Sequence, residues 1–163
     1  QMLGEYLEDP HSKEGLKSST KEIIKGIGIL PLRTIFDKTK TTKRITCDAN
    51  WPCMTKVEGF EMHHGVTEVI KKNGDEKLKN IFKQNKLGWY IDNNEKGSIT
   101  GTYIHGIFDN DKWRINYINL IRKKKGIKIL DKKFKPYKLK REAIINNLAK
   151  QFKKHINITS LLN

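Results

Sequence analysis

Apolar and polar residues alternate along the first two thirds of the chain in a way that predicts strands. β-Branched residues with a period of two, bounded by Gly, Pro or Asn, indicate these elements. Short apolar runs accompany them at residues 26–36 and 66–70. The predicted strands are residues 41–47, 56–63, 89–92 and 98–104.

The last third of the chain has a helical period instead. Trp113, Tyr117, Leu120 and Ile121 repeat at the spacing of one helix face, and Asp111 is available as the N-cap. Ile144, Leu148 and Phe152 form a second core-like stripe within residues 141–154. Residues 1–7 are predicted to be helical turns that end at Asp9-Pro10, and residues 11–25 and 71–86 to be polar surface segments. Strands interleaved with helices indicate a mixed α/β fold.

Composition places the chain among soluble globular proteins with one domain. It has 163 residues, of which 36% are hydrophobic and 31% are charged. No run of about 18 apolar residues occurs, and no signal-peptide pattern is present. We therefore expect a cytoplasmic protein with no membrane partner.

The net charge of +15 raises an alternative, a basic module that binds nucleic acid without catalysis. Of the 33 basic residues, 28 are Lys and 5 are Arg, whereas bidentate contacts to phosphates and bases favour Arg. The lysines are also spread along the whole chain. The pattern favours a solvated basic surface, and we expect no nucleic-acid partner.

Cys47 and Cys53 are too few for a disulfide framework and lack the spacing of a zinc site. We expect two reduced thiols and no metal site. Neither cysteine lies in a turn of small residues, so neither is predicted to be a nucleophile.

One histidine is a catalytic candidate from pattern alone. His105 follows a β-branched run, is flanked by Gly106 and precedes a helix, a position from which an imidazole faces a cleft as a general base. A second histidine-rich turn occupies residues 59–65, with His63 and His64. By pattern alone, each histidine could equally be structural.

Several motifs, in the same order, resemble those of the cobyric acid synthases. The segment 101–110, Gly-Thr-Tyr-Ile-His-Gly-Ile-Phe-Asp-Asn, is the longest match, and residues 59–65 resemble a Gly-Tyr-Glu-Ile-His-x-Gly motif. The final helix is a weaker match. The remaining motifs are Gln1-Met-Leu-Gly4 with Asp9-Pro10, residues 26–31 with Thr34 and Phe36, and Lys40-Thr41-Thr42.

The resemblance implies the C-terminal glutamine amidotransferase domain of that family. Its fold is an open α/β sheet flanked by helices, class I glutamine amidotransferase-like and flavodoxin-like. Residues 1–163 would be the C-terminal portion of this domain, without its N-terminal part. The nucleophilic cysteine is expected four positions before Gln1, and this chain alone is expected to be inactive.

The implied activity is hydrolysis of glutamine to supply ammonia. A synthetase domain of the same polypeptide would use it, with ATP and Mg²⁺, to amidate side-chain carboxylates of adenosylcobyrinic acid a,c-diamide in cobalamin biosynthesis. No cofactor is expected in the present domain. The expected partners are glutamine, the N-terminal synthetase domain and the corrinoid substrate.

The resemblance also assigns roles to individual residues. His105 would be the general base, Gln1 would contact the substrate, and His63 would line the site. Many class I amidotransferases have Glu two residues after the catalytic His, where this chain has Ile107. Glu61 is therefore a candidate for orienting His105 or binding substrate.

Three alternatives stay open at this point. The first is a related amidotransferase, either cobyrinic acid a,c-diamide synthase or the enzyme that amidates peptidoglycan. Gln1 and residues 59–65 argue against the former, and Asp9-Pro10 with residues 40–42 against the latter. The second is the nucleic-acid module described above. The third is a pseudo-enzyme that keeps the fold for contacts alone.

Overall fold

The structure is a computed structural model that describes residues 1–12, 23–70, 77–83, 86–93, 97–131 and 136–156. These residues form a 3₁₀ helix (Ile107–Asp109) and the α-helices α1 (Asp111–Lys124) and α2 (Tyr137–His155). They also form eight strands: β1 (Tyr6–Glu8), β2 (Ile23–Lys25), β3 (Leu32–Ala49), β4 (Thr55–Val69), β5 (Leu78–Asn80), β6 (Gly88–Asn93), β7 (Gly97–Thr102) and β8 (Ile104–His105).

The strands of the described residues build two sheets. The five-stranded sheet has the order β2-β1-β3-β4-β8, in which β1 and β3 run parallel and the other neighbours antiparallel. The second sheet has the antiparallel order β5-β6-β7. This mixed sheet with its helices confirms the predicted α/β class. The strand that ends at His105 lies at one edge of the larger sheet.

β3 and β4 pair along most of their length, and their register shifts between Ile35 and Lys40. Gly65 lies opposite this irregularity with a φ of 77°, and a Cβ atom there would lie 1.9 Å from the carbonyl oxygen of Ile35. A residue with a side chain would have to displace the strand. The predicted strands at residues 41–47 and 56–63 are confirmed inside this longer pair.

An aromatic core joins the two sheets to α1. Trp113 is 1% exposed, and its Nε1 donates a hydrogen bond of 2.9 Å to the carbonyl oxygen of Trp51. The Trp51 ring stacks on Tyr90 at 4.6 Å between centroids and meets Tyr117 edge to face. The predicted helical stripe that begins at Trp113 therefore packs as expected. Its packing fixes the corner between β8 and α1.

The predicted helix at residues 1–7 is wrong. Residues 1–5 form a turn, and β1 follows it. The backbone N–H groups of Ile27 and Leu30 donate to the carbonyls of Met2 and Leu3, at 2.8 and 2.9 Å. These bonds to a distant segment replace the i to i−4 bonds that a helix would need.

The second helix is confirmed, but its apolar stripe is not in the core. None of the described residues of α2 is buried, and Leu148 is 68% exposed. The N-cap of α1 is Asn110, and Asp111 is the first helical residue. Asp111 instead accepts a hydrogen bond of 3.0 Å from the backbone N–H of Tyr137, which ties the start of α2 to α1.

Candidate active site

His105 is the last residue of β8, and its side chain is exposed. The strand pairs with β4 in the register Phe60↔His105 and Glu61↔Ile104. Directly paired residues share a face of the sheet, so the imidazole lies beside Phe60, which is 52% exposed. The ring makes no hydrogen bond to any residue that the structure describes, so it is open to a substrate or to a partner group.

A close approach at Gly59 sets the position of the His105 backbone. A Cβ atom at Gly59 would lie 2.4 Å from the carbonyl oxygen of His105 and 2.5 Å from Cγ2 of Ile104. Any side chain at this position would push β8 away from β4. The glycine that opens the motif at residues 59–65 is thus explained by the strand that carries the histidine.

The segment after His105 is held to β4 by one side chain. Asn110 Nδ2 donates to the carbonyl oxygen of Glu58 at 2.8 Å, and Asn110 Oδ1 accepts from the N–H of Glu58 at 2.8 Å. Asn110 Nδ2 also donates to the carbonyl oxygen of Ile107 at 3.1 Å. This pair of reciprocal bonds replaces a strand partner and fixes the turn that starts at Gly106, where φ is 80°.

The structure places the side chain of Gln1 against β4, the strand that contains His63 and His64. Gln1 Nε2 donates to the carbonyl oxygen of His64 at 2.6 Å. The turn that carries Gln1 is anchored by Glu5, whose N–H donates to the carbonyl oxygen of Leu32 at 2.8 Å. Two motifs that lie 63 positions apart in the sequence are therefore neighbours in space.

Glu61 and His63 form a network on the inner face of β4. His63 Nε2 lies 2.9 Å from Glu61 Oε1, and His63 Nδ1 lies 3.0 Å from the carbonyl oxygen of Gly65. Both partners accept, so both bonds form together only when the ring carries a proton on each nitrogen. Lys43 Nζ lies 3.1 Å from Glu61 Oε2 and completes the network.

The charges in this network lower the pKa of Glu61. Burial by itself raises that pKa, but the hydrogen bonds from His63 and Lys43 and the charges of both residues outweigh burial. The Glu61 side chain is only 9% exposed. A carboxylate whose pKa is lowered by these contacts is expected to stay ionised at neutral pH.

The register of β4 and β8 bears on whether Glu61 orients His105. Glu61 pairs with Ile104, so its side chain lies on the opposite face of the sheet from His105. Its two oxygens are also engaged by His63 and Lys43. The hypothesis that Glu61 orients His105 is therefore wrong, because a one-residue offset along a strand reverses the face.

Neither cysteine is activated. Both are free thiols. Burial and the nearby carboxylates of Asp48 and Glu61 raise the pKa of Cys47 to about 11. Burial also raises the pKa of Cys53, against the opposing charge of Lys112. A thiol with a raised pKa is mostly protonated and a poor nucleophile at neutral pH.

A chain of hydroxyl groups divides two cavities behind β4. Thr34 Oγ1 and Thr67 Oγ1 lie 2.8 Å apart, and Thr67 is hydrogen-bonded to the Tyr103 hydroxyl. Thr67 and Tyr103 line both a cavity of about 300 Å³ that includes Gln1 and a cavity of about 540 Å³ that includes His63. Sequence reasoning did not single out Thr67 or Lys43, since only strand register brings them to the site.

Comparison with known proteins identifies the family. The family described as "CobB/CobQ-like glutamine amidotransferase domain" matches residues 1–113 of the chain. The chain belongs to the CobB/CobQ-like glutamine amidotransferase domain family. The match covers each segment of the candidate site, from Gln1 through the β4 network to His105.

Three relatives of this chain are each named cobyric acid synthase. Cobyric acid synthase of Prochlorococcus marinus strain AS9601 is 56% identical over 163 residues, which are 100% of this chain and 32% of that protein. The cobyric acid synthases of strains MIT 9312 and NATL1A are 54% and 40% identical, over 100% and 99% of this chain and 32% and 33% of their own length. The amidotransferase chain thus spans about a third of the length of these relatives.

Within the described residues, no group of three or more His, Cys, Asp or Glu is arranged to hold a metal ion. Neither described helix combines the length and apolar character needed to cross a membrane.

Proposed function

We propose that residues 1–163 are the C-terminal portion of a glutamine amidotransferase domain and that His105 is its general base. The observation that carries the proposal is the exposed imidazole of His105 at the end of β8, held by Gly59 and Asn110 and bound to no described residue. A histidine whose backbone is held in place and whose ring has no hydrogen bond to a described residue is available to act as a general base.

In the proposed reaction, His105 takes the proton of a cysteine thiol that lies outside these residues. The thiolate attacks the γ-carbonyl carbon of glutamine, the C–N bond breaks, and the histidine returns the proton to the leaving ammonia. The same imidazole then removes a proton from water, which hydrolyses the γ-glutamyl thioester to glutamate. The raised pKa values of Cys47 and Cys53 argue against either thiol in this role.

We also propose that Gln1, His63 and Glu61 contact the substrate. Gln1 lines one cavity and His63 and Glu61 line the other, and His105 is not among the described residues that line either cavity. The Gln1 side-chain N–H is bound to the carbonyl of His64, and its Oε1 has no hydrogen bond to a described residue, so it can accept an N–H from glutamine. His63 and Glu61 line the cavity of about 540 Å³ together with Lys43. The carboxylate of Glu61 and the ammonium group of Lys43 suit the two opposite charges of a zwitterionic amino acid.

The relatives extend the proposal to the whole protein. Each is a cobyric acid synthase, and the present chain corresponds to 32% of the first of them. We propose that the ammonia passes to a synthetase domain of the same polypeptide. There, ATP and Mg²⁺ would activate side-chain carboxylates of adenosylcobyrinic acid a,c-diamide for amidation in cobalamin biosynthesis.

The test is a His105→Asn variant of the complete enzyme. We expect glutamine-dependent amidation to fall by a factor on the order of 10² or more, the usual cost of losing a general base. Amidation from added ammonia should be unchanged, because that reaction does not need the thiol.

His155→Asn serves as the matched control, since it removes an exposed imidazole at the end of α2. It should leave both activities intact. Full glutamine-dependent turnover in His105→Asn, or a joint loss of both activities in a folded variant, would refute the assignment.

A further inference from the structure

Thr102 occupies the point at which the chain leaves one sheet for the other. β7 ends at this residue, and β8 begins at Ile104. Thr102 Oγ1 donates to the carbonyl oxygen of Leu87 at 2.9 Å and accepts from the N–H of Ile104 at 3.0 Å. The N–H of Tyr103, the residue between the strands, donates to the same carbonyl at 2.8 Å. One hydroxyl thus joins both sides of the crossing.

We propose that Thr102 is a positioning residue for His105. Ile104, whose N–H the hydroxyl binds, is the residue immediately before His105. β8 has only two residues, so few backbone bonds hold the histidine in place. Asn110 fixes the chain on the C-terminal side of His105, and Thr102 does so on the N-terminal side. This inference rests on the proposed function of His105.

The chemistry of the contact requires a hydroxyl. A threonine hydroxyl donates one hydrogen bond and accepts another, so it satisfies the Leu87 carbonyl and the Ile104 N–H together. Valine has nearly the same shape and makes neither bond. Serine keeps both bonds and loses only a methyl group. The two substitutions therefore separate the hydroxyl from the packing.

The same strand offers a matched control in Thr100. Its hydroxyl oxygen is buried but has no hydrogen-bond partner among the described residues. Replacing this hydroxyl by a methyl group breaks no hydrogen bond and leaves no buried polar atom without a partner. The change is therefore expected to be nearly neutral. Thr100→Val and Thr102→Val are chemically the same substitution two positions apart.

The experiment uses the complete enzyme with Thr102→Val, Thr102→Ser and Thr100→Val. For Thr102→Val we expect kcat with glutamine to fall about 10- to 100-fold while KM changes little, because a displaced base slows chemistry more than binding. Thr102→Ser and Thr100→Val should keep kcat close to that of the parent. Turnover with added ammonia should be unchanged in all three.

A second readout does not depend on activity. NMR of the enzyme with ¹³C-labelled histidine, in which His105→Asn identifies the resonance, reports the surroundings of the ring. We expect the His105 signal to shift or broaden in Thr102→Val and to stay in place in Thr100→Val. If Thr102→Val does not fold, Thr102→Cys offers a weakly hydrogen-bonding thiol of similar size, with the same signature at smaller amplitude.

The inference is overturned if Thr102→Val retains the parent kcat and the parent His105 signal. It is also overturned if Thr102→Ser loses as much as Thr102→Val, since the hydroxyl would then not matter. Failure of the proposed function looks different, because His105→Asn itself would then keep glutamine-dependent turnover. In that case the His105 signal alone still decides whether Thr102 positions the ring.

Discussion

Two histidines of this domain lie in opposite environments on neighbouring strands. The ring of His63 is bonded through both nitrogens, is 13% exposed, and lies 4.4 Å from the ring of Tyr103. The ring of His105 is exposed and has no hydrogen bond to a described residue. Sequence pattern made them equal candidates, and only their partners distinguish them.

The difference shows which histidine is available for proton transfer. A ring with both N–H groups committed to Glu61 and Gly65 would have to break a buried hydrogen bond before it exchanged a proton. The ring of His105, which has no hydrogen bond to a described residue, would not have to break one. His63 is therefore suited to a fixed position in the hydrogen-bond network with Glu61, and His105 is the ring available to a substrate or partner group.

Among the substitutions that test this difference between the two histidines, we expect Gly59→Ala to have the largest effect. The added methyl group would meet the carbonyl oxygen of His105 at 2.4 Å, so β8 must move. We expect glutamine-dependent turnover of the complete enzyme to fall about 10- to 100-fold, since small displacements of a catalytic group are costly. We also expect the free energy of unfolding to fall by about 1–3 kcal/mol, as in other overpacked sites.

Gly101→Ala is the control for Gly59→Ala. A Cβ atom at Gly101 would meet only side-chain atoms, with Cδ1 of Leu3 nearest at 3.0 Å. Side chains give way more easily than a backbone carbonyl, so its loss in turnover and in stability to denaturant should be smaller. Equal values for the two variants would show that the approach of β4 does not position His105.

The sequence predicted local elements well and contacts poorly. The strand at residues 56–63 and the helix that contains Trp113 follow from short-range periodicity, and the structure confirms both. The turn at residues 1–5 was mistaken for a helix because its hydrogen bonds go to residues 27–30, far along the chain. The suggestion that Glu61 orients His105 failed for the same reason, because the face of Glu61 depends on the register with β8. Periodicity contains no information on register.

The next effect in size concerns His63→Ala. The substitution removes both hydrogen bonds of the ring and leaves the buried carboxylate of Glu61 with Lys43 alone. We expect the free energy of unfolding to fall by about 1–3 kcal/mol, the usual cost of an unpaired buried group. Turnover with glutamine should also fall, since the ring lines the proposed site. Denaturant titration and steady-state kinetics measure the two effects.

His64→Ala is the neighbouring control. The Nδ1 atom of His64 is buried without a hydrogen-bond partner among the described residues, so its removal breaks no side-chain bond. The Gln1 contact goes to the His64 backbone and should survive. We expect a much smaller loss of stability and turnover than in His63→Ala. Equally small losses of stability and turnover in both variants would contradict a role for the His63 ring in the site.

The smallest effect is expected from Glu61→Gln, and it depends on pH. The pKa of Glu61 in the folded protein lies below its ordinary value of 4.5. A lowered folded-state pKa means that the ionised carboxylate stabilises the fold at pH values above the unfolded-state pKa. This contribution is lost as the pH falls through the folded-state pKa. The amide keeps one oxygen to accept from His63 or Lys43, so the substitution removes the charge but not every hydrogen bond.

The free energy of unfolding should therefore be compared between the parent protein and Glu61→Gln at pH 7 and at about pH 3, below the ordinary range of carboxyl pKa values. We expect the parent to be the more stable protein at pH 7, and the difference to shrink at the lower pH. Other carboxylates titrate in both proteins, so subtraction removes their contribution. A difference that stays constant with pH, or grows as the pH falls, would mean that Glu61 is not held ionised by His63 and Lys43. The contrast between a histidine held in a hydrogen-bond network and a histidine without a described partner would then lose part of its physical basis.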